Sequence, residues 1–312
     1  MGPLWSWDTA LSGVIPPLIS PLAASGDPDA AAMGRLVQHV LAGGASGLFV
    51  LGGCGEGAWL TTAQRGAVVR AAHRAAAGRV PVLVGVMLPA TGPAAEAARQ
   101  AAGEGADAIV LGSPYYFPVD AATQRRHVEA VMAATSLPAL LYNIPQSTHH
   151  TLAPDTVAAL AREPRVLGIK DSAGDFETFL VLLAVKRARS DFRVLQGNES
   201  LAAASLLQGA DGLVPGLANV APALFVALRA AAARGDAVAC RSLQAEIAEL
   251  VAVYRQGPWL AALKAACALL GIGNGLPAAP LAAADEAQRR ALAPLVRPYG
   301  ESGTRPATAH VS

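Results

Sequence analysis

Lysine is scarce in this chain: of 24 basic residues only Lys170, Lys186 and Lys264 are lysines, and the rest are arginine. A sequence that uses arginine wherever a charge suffices can reserve lysine for sites that need an amine able to lose its proton. Lys170 ends the apolar run "VLGIK" and precedes the acidic, glycine-containing turn "DSAGD". Walled by apolar strands, such an amine has reason to be held neutral and to act as a nucleophile. The competing reading is a strand-end lysine that snorkels to water. The preceding apolar run ends on Tyr142, in "YNIPQ". Lys186, in "VKRARS", is expected to be a solvated ammonium. Lys264, in "PWLAALKAACALL", is expected to lie in a helix away from the strand ends.

Something must carry Lys170 and Tyr142 to one place. Short apolar runs bounded by glycine or proline recur at 13–19, 47–52, 81–87, 106–112, 138–143, 166–170, 193–197 and 211–216. Between them lie alanine-rich stretches with helical spacing at 28–42, 61–77, 93–103, 120–134, 153–162, 175–188 and 199–208. Helix starts are marked by Asp27 before Pro28, by Thr61, and by Thr91 before "GPAAEAA". Eight strand-like runs alternating with helices predict an α/β fold, a (β/α)8 TIM barrel over 1–220. A doubly wound sheet would want a GxGxxG turn, and "GGCGEG" at 52–57 lacks that spacing. Helical stretches at 221–233, 236–254 and 258–270, with a segment to 297, predict a C-terminal helical extension over 221–299. Residues 300–312 read as a disordered tail.

In such a barrel the chemistry gathers where strands lead into helices. That rim would hold "GGCGEG", "SPYYFP", "YNIPQ", "KDSAGD", "GNES" and "PGLAN", with Lys170 and Tyr142 ending neighbouring strands.

Composition narrows the function classes. The chain is 53% hydrophobic and 15% charged with a net charge of +1, and no basic run points to nucleic acid or a charged membrane surface. No stretch predicts a membrane span, and the N-terminus does not read as a signal peptide. Cys54, Cys240 and Cys267 are odd in number and far apart, which predicts a reducing, cytoplasmic setting without disulfides or a zinc site.

"GGCGEG", "PYYFP", "YNIP" and "GIKDSAGD", in that order and at strand ends, resemble the dihydrodipicolinate synthase and N-acetylneuraminate lyase superfamily of class I aldolases. The resemblance runs from about residue 11 to 297 and includes "PWLAALKAACALLGI". It implies a Schiff-base mechanism on a 2-oxo acid, pyruvate or a substrate that releases it. Lys170 matches the imine-forming lysine, and Tyr142 the tyrosine that shuttles protons. The backbone amides of Gly53, Cys54 and Gly55 match the loop that holds the substrate carboxylate. Tyr116 matches the tyrosine many members lend to a neighbouring subunit's site, although Tyr115 and Tyr116 read equally as a plain aromatic rim. Asn198 and Glu199 sit where lyases hold polar parts of the substrate, and Gly216, in the last rim loop, is expected to border the substrate as well. Glu56 is expected to fix its own loop, and Asp171, pointing away from Lys170, to be structural. The resemblance also implies a homotetramer built as two dimers. It implies no metal or organic cofactor, because the imine itself is the electron sink.

The chain departs from the family pattern at several positions. Gly53 and Cys54 stand where the synthase and the neuraminate lyase carry hydroxyl residues, and dehydratases of 5-keto-4-deoxyglucarate share the glycine. Ser147 replaces the arginine that grips the carboxylate of the synthase's second substrate. Pro215 and Gly216 replace hydroxyl side chains of sialic-acid lyases. The expected activity is therefore aldol cleavage or formation on a 2-oxo acid, with an aldehyde as possible second partner, outside lysine biosynthesis. A Schiff-base dehydratase or hydratase-aldolase, or a non-catalytic family member, remain the alternatives.

Overall fold

A computed structural model describes residues 4–300. Seven parallel strands pair in sequence order: β1 (Leu48–Val50), β2 (Val82–Gly85), β3 (Ala108–Leu111), β4 (Ala139–Asn143), β5 (Val166–Asp171), β6 (Arg193–Gln196) and β7 (Gly212–Leu213). These strands are buried on both faces, which is why they read as continuous apolar runs rather than as alternation. The first expected strand, 13–19, is instead an irregular segment that joins the two sheet edges. Val14 bridges Leu213 and Pro17 bridges Phe49, both in parallel sense. Ile15 N–H donates to Leu213 O at 2.9 Å, and Leu18 N–H to Phe49 O at 2.7 Å. Pro16 and Pro17 have no N–H for a ladder, so the eighth stave closes the barrel without becoming a regular strand.

Two apolar clusters follow from the closure. Phe49, Leu83, Val110, Leu140, Tyr142 and Leu195 fill the barrel interior, with Ile15 of the closing segment among them. A larger cluster fills the space between strands and surrounding helices.

Thr61 caps its helix as expected, in a reciprocal capping box with Gln64. The other two expected starts shift. Asp27 accepts from Ser25 Oγ within a turn, and Asp29 caps the helix Ala30–Ala42. Thr91 is already helical, and its hydroxyl bonds His127 Nδ1 instead of capping. Beyond the barrel strands come helices Pro222–Ala233, Ala237–Leu250, Trp259–Leu269 and Glu286–Val296. The helix Pro222–Ala233 lies against β7 and the helix Ala30–Ala42. The expected tail lies outside the described residues except for Gly300. No described helix is long and apolar enough to cross a membrane.

Candidate active site

Register decides which side chains meet. On β4 and β5, Tyr142 pairs with Lys170 and Asn143 with Asp171. Alternation along a strand sends the first pair into the barrel and the second toward the helices. Inside, Lys170 is 3% exposed, and its Nζ stands 4.2 Å from the Tyr142 ring centroid and 5.2 Å from that of Phe49. Among the described residues no carboxylate forms an ion pair with it, whereas both other lysines are paired. Gly197 leaves room for its stem, since a Cβ there would fall 2.7 Å from Lys170 Cε. Outside, Asn143 Nδ2 donates to Asp171 Oδ1 at 2.6 Å, and Leu152 N–H donates to Asn143 Oδ1. Burial pushes the Asp171 carboxyl up to about 6, with the Asn143 bond opposing. Asp171 is a structural acid, as its place on the strand implied.

The loop after β1 is folded against itself. Leu51 and Glu56 both adopt left-handed φ, +59° and +55°, a conformation that costs a non-glycine residue about 1 kcal/mol. Gly57 is required, because a Cβ would fall 2.1 Å from Leu51 O. At Gly53 nothing lies within 4 Å of an added Cβ, so packing does not impose the missing hydroxyl there. The N–H groups of Gly53, Cys54 and Gly55 donate to no backbone carbonyl among the described residues. Cys54 is buried, and desolvation pushes its thiol up to about 12, which leaves it a packed thiol rather than a thiolate.

Glu56 does fix this loop, but through a partner the sequence had placed elsewhere. Its Oε2 meets Lys264 Nζ at 2.5 Å, and its Oε1 accepts from Ala278 N–H. Lys264 is thus not remote from the strand ends: it crosses from the helix Trp259–Leu269 to the rim, fully buried. Burial pulls its ammonium below the usual lysine range, and Glu56 opposes that pull. Lys186 is not freely solvated either, since it donates to Gly209 O and pairs with Asp211 at 2.8 Å.

The remaining rim residues divide. Asn198 accepts from Ser200 N–H and so caps the turn Glu199–Leu201. Glu199 Oε1 accepts from Leu217 N–H and from the hydroxyl of Tyr254 at 2.9 Å. Burial, and next the Glu199 carboxylate, hold the Tyr254 phenol well above its usual range. Gly216 is the companion of that phenol: a Cβ would stand 2.4 Å from Tyr254 Oη and 3.2 Å from Cys54 Sγ. Tyr254 belongs to no rim motif and was not anticipated. Tyr116 (φ +82°) is 78% exposed and packs edge-on against Phe117, outside this chain's cavity, whereas Tyr115 lines it.

The cavity has a volume of ≈ 610 Å³. Gly52, Gly53 and Tyr142 line its barrel side, while Trp59, Pro258, Trp259, Leu260 and Leu281 line its outer side. The two tryptophans were missed in the sequence, where neither stands at a strand end. Ser147, at the arginine position, lines the same cavity. No cluster of three or more His, Cys, Asp or Glu suited to a metal occurs among the described residues.

Residues 10–298 match the model of the dihydrodipicolinate synthetase family. A DapA-like lyase of Halobacterium salinarum, itself uncharacterised, is 36% identical over 90% of this chain and 92% of its own length. The Escherichia coli K12 protein named "Probable 2-dehydro-3-deoxy-D-pentonate aldolase YjhH" is 35% identical over 84% of this chain and 88% of its own. Among solved structures, dihydrodipicolinate synthase from Bacteroides thetaiotaomicron superposes with a TM-score of 0.88 at 35% identity, covering 95% of this chain and 99% of that one. The E. coli K12 prophage protein YagE, solved in complex with pyruvate, gives 0.87 at 30% identity over 91% and 97%.

Proposed function

The chain belongs to the dihydrodipicolinate synthetase family of lyases, and from that premise we propose that it works through an imine between Lys170 and the C2 carbonyl of a 2-oxo acid. The observation that carries this reading is the inward pair of β4 and β5, a buried lysine amine over the ring of Tyr142 with no carboxylate partner among the described residues. The amine adds to C2, and loss of water leaves a protonated imine that draws electrons from C3. The C3–C4 bond of an aldol substrate then breaks, or the enamine formed by loss of a C3 proton attacks an aldehyde. Tyr142 passes protons to and from the carbinolamine and the C4 oxygen. The N–H groups of Gly53, Cys54 and Gly55, which donate to no backbone carbonyl among the described residues, hold the substrate carboxylate. A fixed amine beside a bound ketone makes the encounter intramolecular.

Ser147 offers no charge for an amino-aldehyde acid, so the lysine-biosynthetic reaction is set aside. A second reading, elimination or addition of water on the same imine, is favoured by Gly53, whose neighbourhood is open where a relay hydroxyl would sit. Glu199 and Gly216 shape the rim behind Cys54, and Asn198 holds the turn that carries Glu199. Tyr116, turned outward beside Phe117, is assigned to a neighbouring subunit's site in a homotetramer, and a monomer in light scattering at micromolar concentration would remove that part. The three cysteines are unpaired and buried, in keeping with a cytoplasmic enzyme.

Incubation with pyruvate and borohydride, followed by intact mass and peptide mapping, tests the mechanism. A reduced adduct on the peptide containing "VLGIK" is expected. An adduct on Lys186 or Lys264 instead sinks it.

A further inference from the structure

Building on the imine reading, we propose that the second substrate is an aromatic carbonyl compound, held in the tryptophan-lined outer half of the cavity, rather than a hydroxylated or charged aldehyde. A volume of ≈ 610 Å³ lies in the range of pockets for whole organic ligands and is more than a three-carbon oxo acid fills. The outer wall is formed by Trp59, Pro258, Trp259, Leu260 and Leu281. Its one carboxylate, Glu56, is committed to Lys264 and Ala278 N–H, and Thr148 donates its hydroxyl to backbone carbonyls. Tyr115, Tyr142 and Ser147 bring hydroxyls to the rest of the lining, but hydroxyl groups of a sugar-derived aldehyde that face this outer wall would lack partners, a loss of affinity for each. A carboxylated aldehyde would lack a cation, since Ser147 stands at that edge.

A planar ring fits what is there. Trp259 is set edge-on to Tyr254 at 6.1 Å and 86°, and Tyr254 is in turn bonded to Glu199, so this wall is held in place. Trp59 rises from the loop that carries Gly53, and both indoles keep about half their surface open, 51% and 46%. An aromatic guest covers that surface and gains ring–ring contact.

The chemistry balances without a further reactant. The pyruvate enamine, formed by loss of one C3 proton, attacks the carbonyl carbon of the aldehyde. The new C–C bond forms as the C=O π pair moves to oxygen, which takes up the proton. Water then releases the imine, and the sum is CH3COCO2− + ArCHO → ArCH(OH)CH2COCO2−.

The test uses the unmodified protein with pyruvate and three acceptors, benzaldehyde, glyceraldehyde and succinic semialdehyde, with products separated by chromatography. Borohydride trapping of pyruvate is run in parallel. Benzaldehyde is expected to show kcat/KM at least about tenfold above the other two. Trp59→Ala should lower the benzaldehyde-to-glyceraldehyde ratio by about tenfold, and Trp59→Phe should restore most of it. Trp59 is half exposed, so its truncation opens no core cavity. An adduct on Lys170 together with a preference for glyceraldehyde or succinic semialdehyde overturns this inference alone. So does a ratio unmoved by Trp59→Ala. Failure to trap pyruvate at all removes the imine reading and this inference with it.

Discussion

Two buried lysines lie near one glycine loop, and burial alone does not tell them apart. Lys170, in the barrel interior, is 3% exposed, and Lys264, in the helical extension, is 1% exposed. Their partners differ. Lys264 spends its charge on Glu56, which ties the helix Trp259–Leu269 to the rim. Lys170 faces the rings of Tyr142 and Phe49, and no carboxylate among the described residues is paired to it. A buried lysine with a matched carboxylate is a fastener, and one set among rings without such a partner is the candidate for chemistry.

The largest expected effect comes from breaking the reactive side of that contrast. Lys170→Arg keeps a cation but cannot form an imine, so turnover should fall by more than about 10³-fold and the borohydride adduct should disappear. An unimpaired variant would end the distinction. On the other side, Lys264→Met leaves the Glu56 carboxylate buried and unpaired, which should cost about 3–5 kcal/mol in urea unfolding. Adding Glu56→Gln should return part of that loss, and a single variant as stable as the parent would show that the pair fastens nothing.

Much of this contrast was hidden in the chain. The rim was legible because parallel strands bury both faces and so stand out as apolar runs, each ending on its motif. Lys170 and Tyr142 could be placed together because they end neighbouring strands on that rim. The segment 13–19 has the same apolar signature, but two prolines deny it a ladder. Lys264 and Tyr254 carried no local signal at all. Lys264 meets Glu56 across 208 residues and Tyr254 meets Glu199 across 55, contacts that only the packed extension creates. Trp59 and Trp259 were unreadable for the same reason, since a cavity wall shared by a loop and a distant helix has no spacing rule.

A smaller effect sharpens the view of β5 itself, where Asp171 turns outward beside Lys170. Its folded-state pKa, raised to about 6, exceeds the unfolded value of about 3.9, so the folded chain holds the extra proton between those limits. The penalty is absent below the unfolded pKa and complete above the folded one, about 3 kcal/mol in all. Asp171→Asn should therefore gain stability relative to the parent as pH rises from about 4 to 6, read from paired denaturation curves. A flat difference would mean that the acid is not desolvated. The smallest effect belongs to Lys186→Met, under about 1 kcal/mol, because this pair is partly exposed and Asp211 keeps its bond to Val194 N–H.

The helix Trp259–Leu269 carries Trp259 and Leu260 in its first turn and Lys264 a turn further on. Its opening residues line the cavity, and its interior anchors, through Glu56, the loop that carries Gly53, Cys54 and Gly55. Tolerance to substitution should therefore change sharply within one short element. A lineage could exchange the first turn and acquire a new reactant while the barrel's reactive pair stays as it is. One turn later the same freedom would unfasten the loop, so drift in what the enzyme accepts is channelled through a handful of positions at the start of this helix.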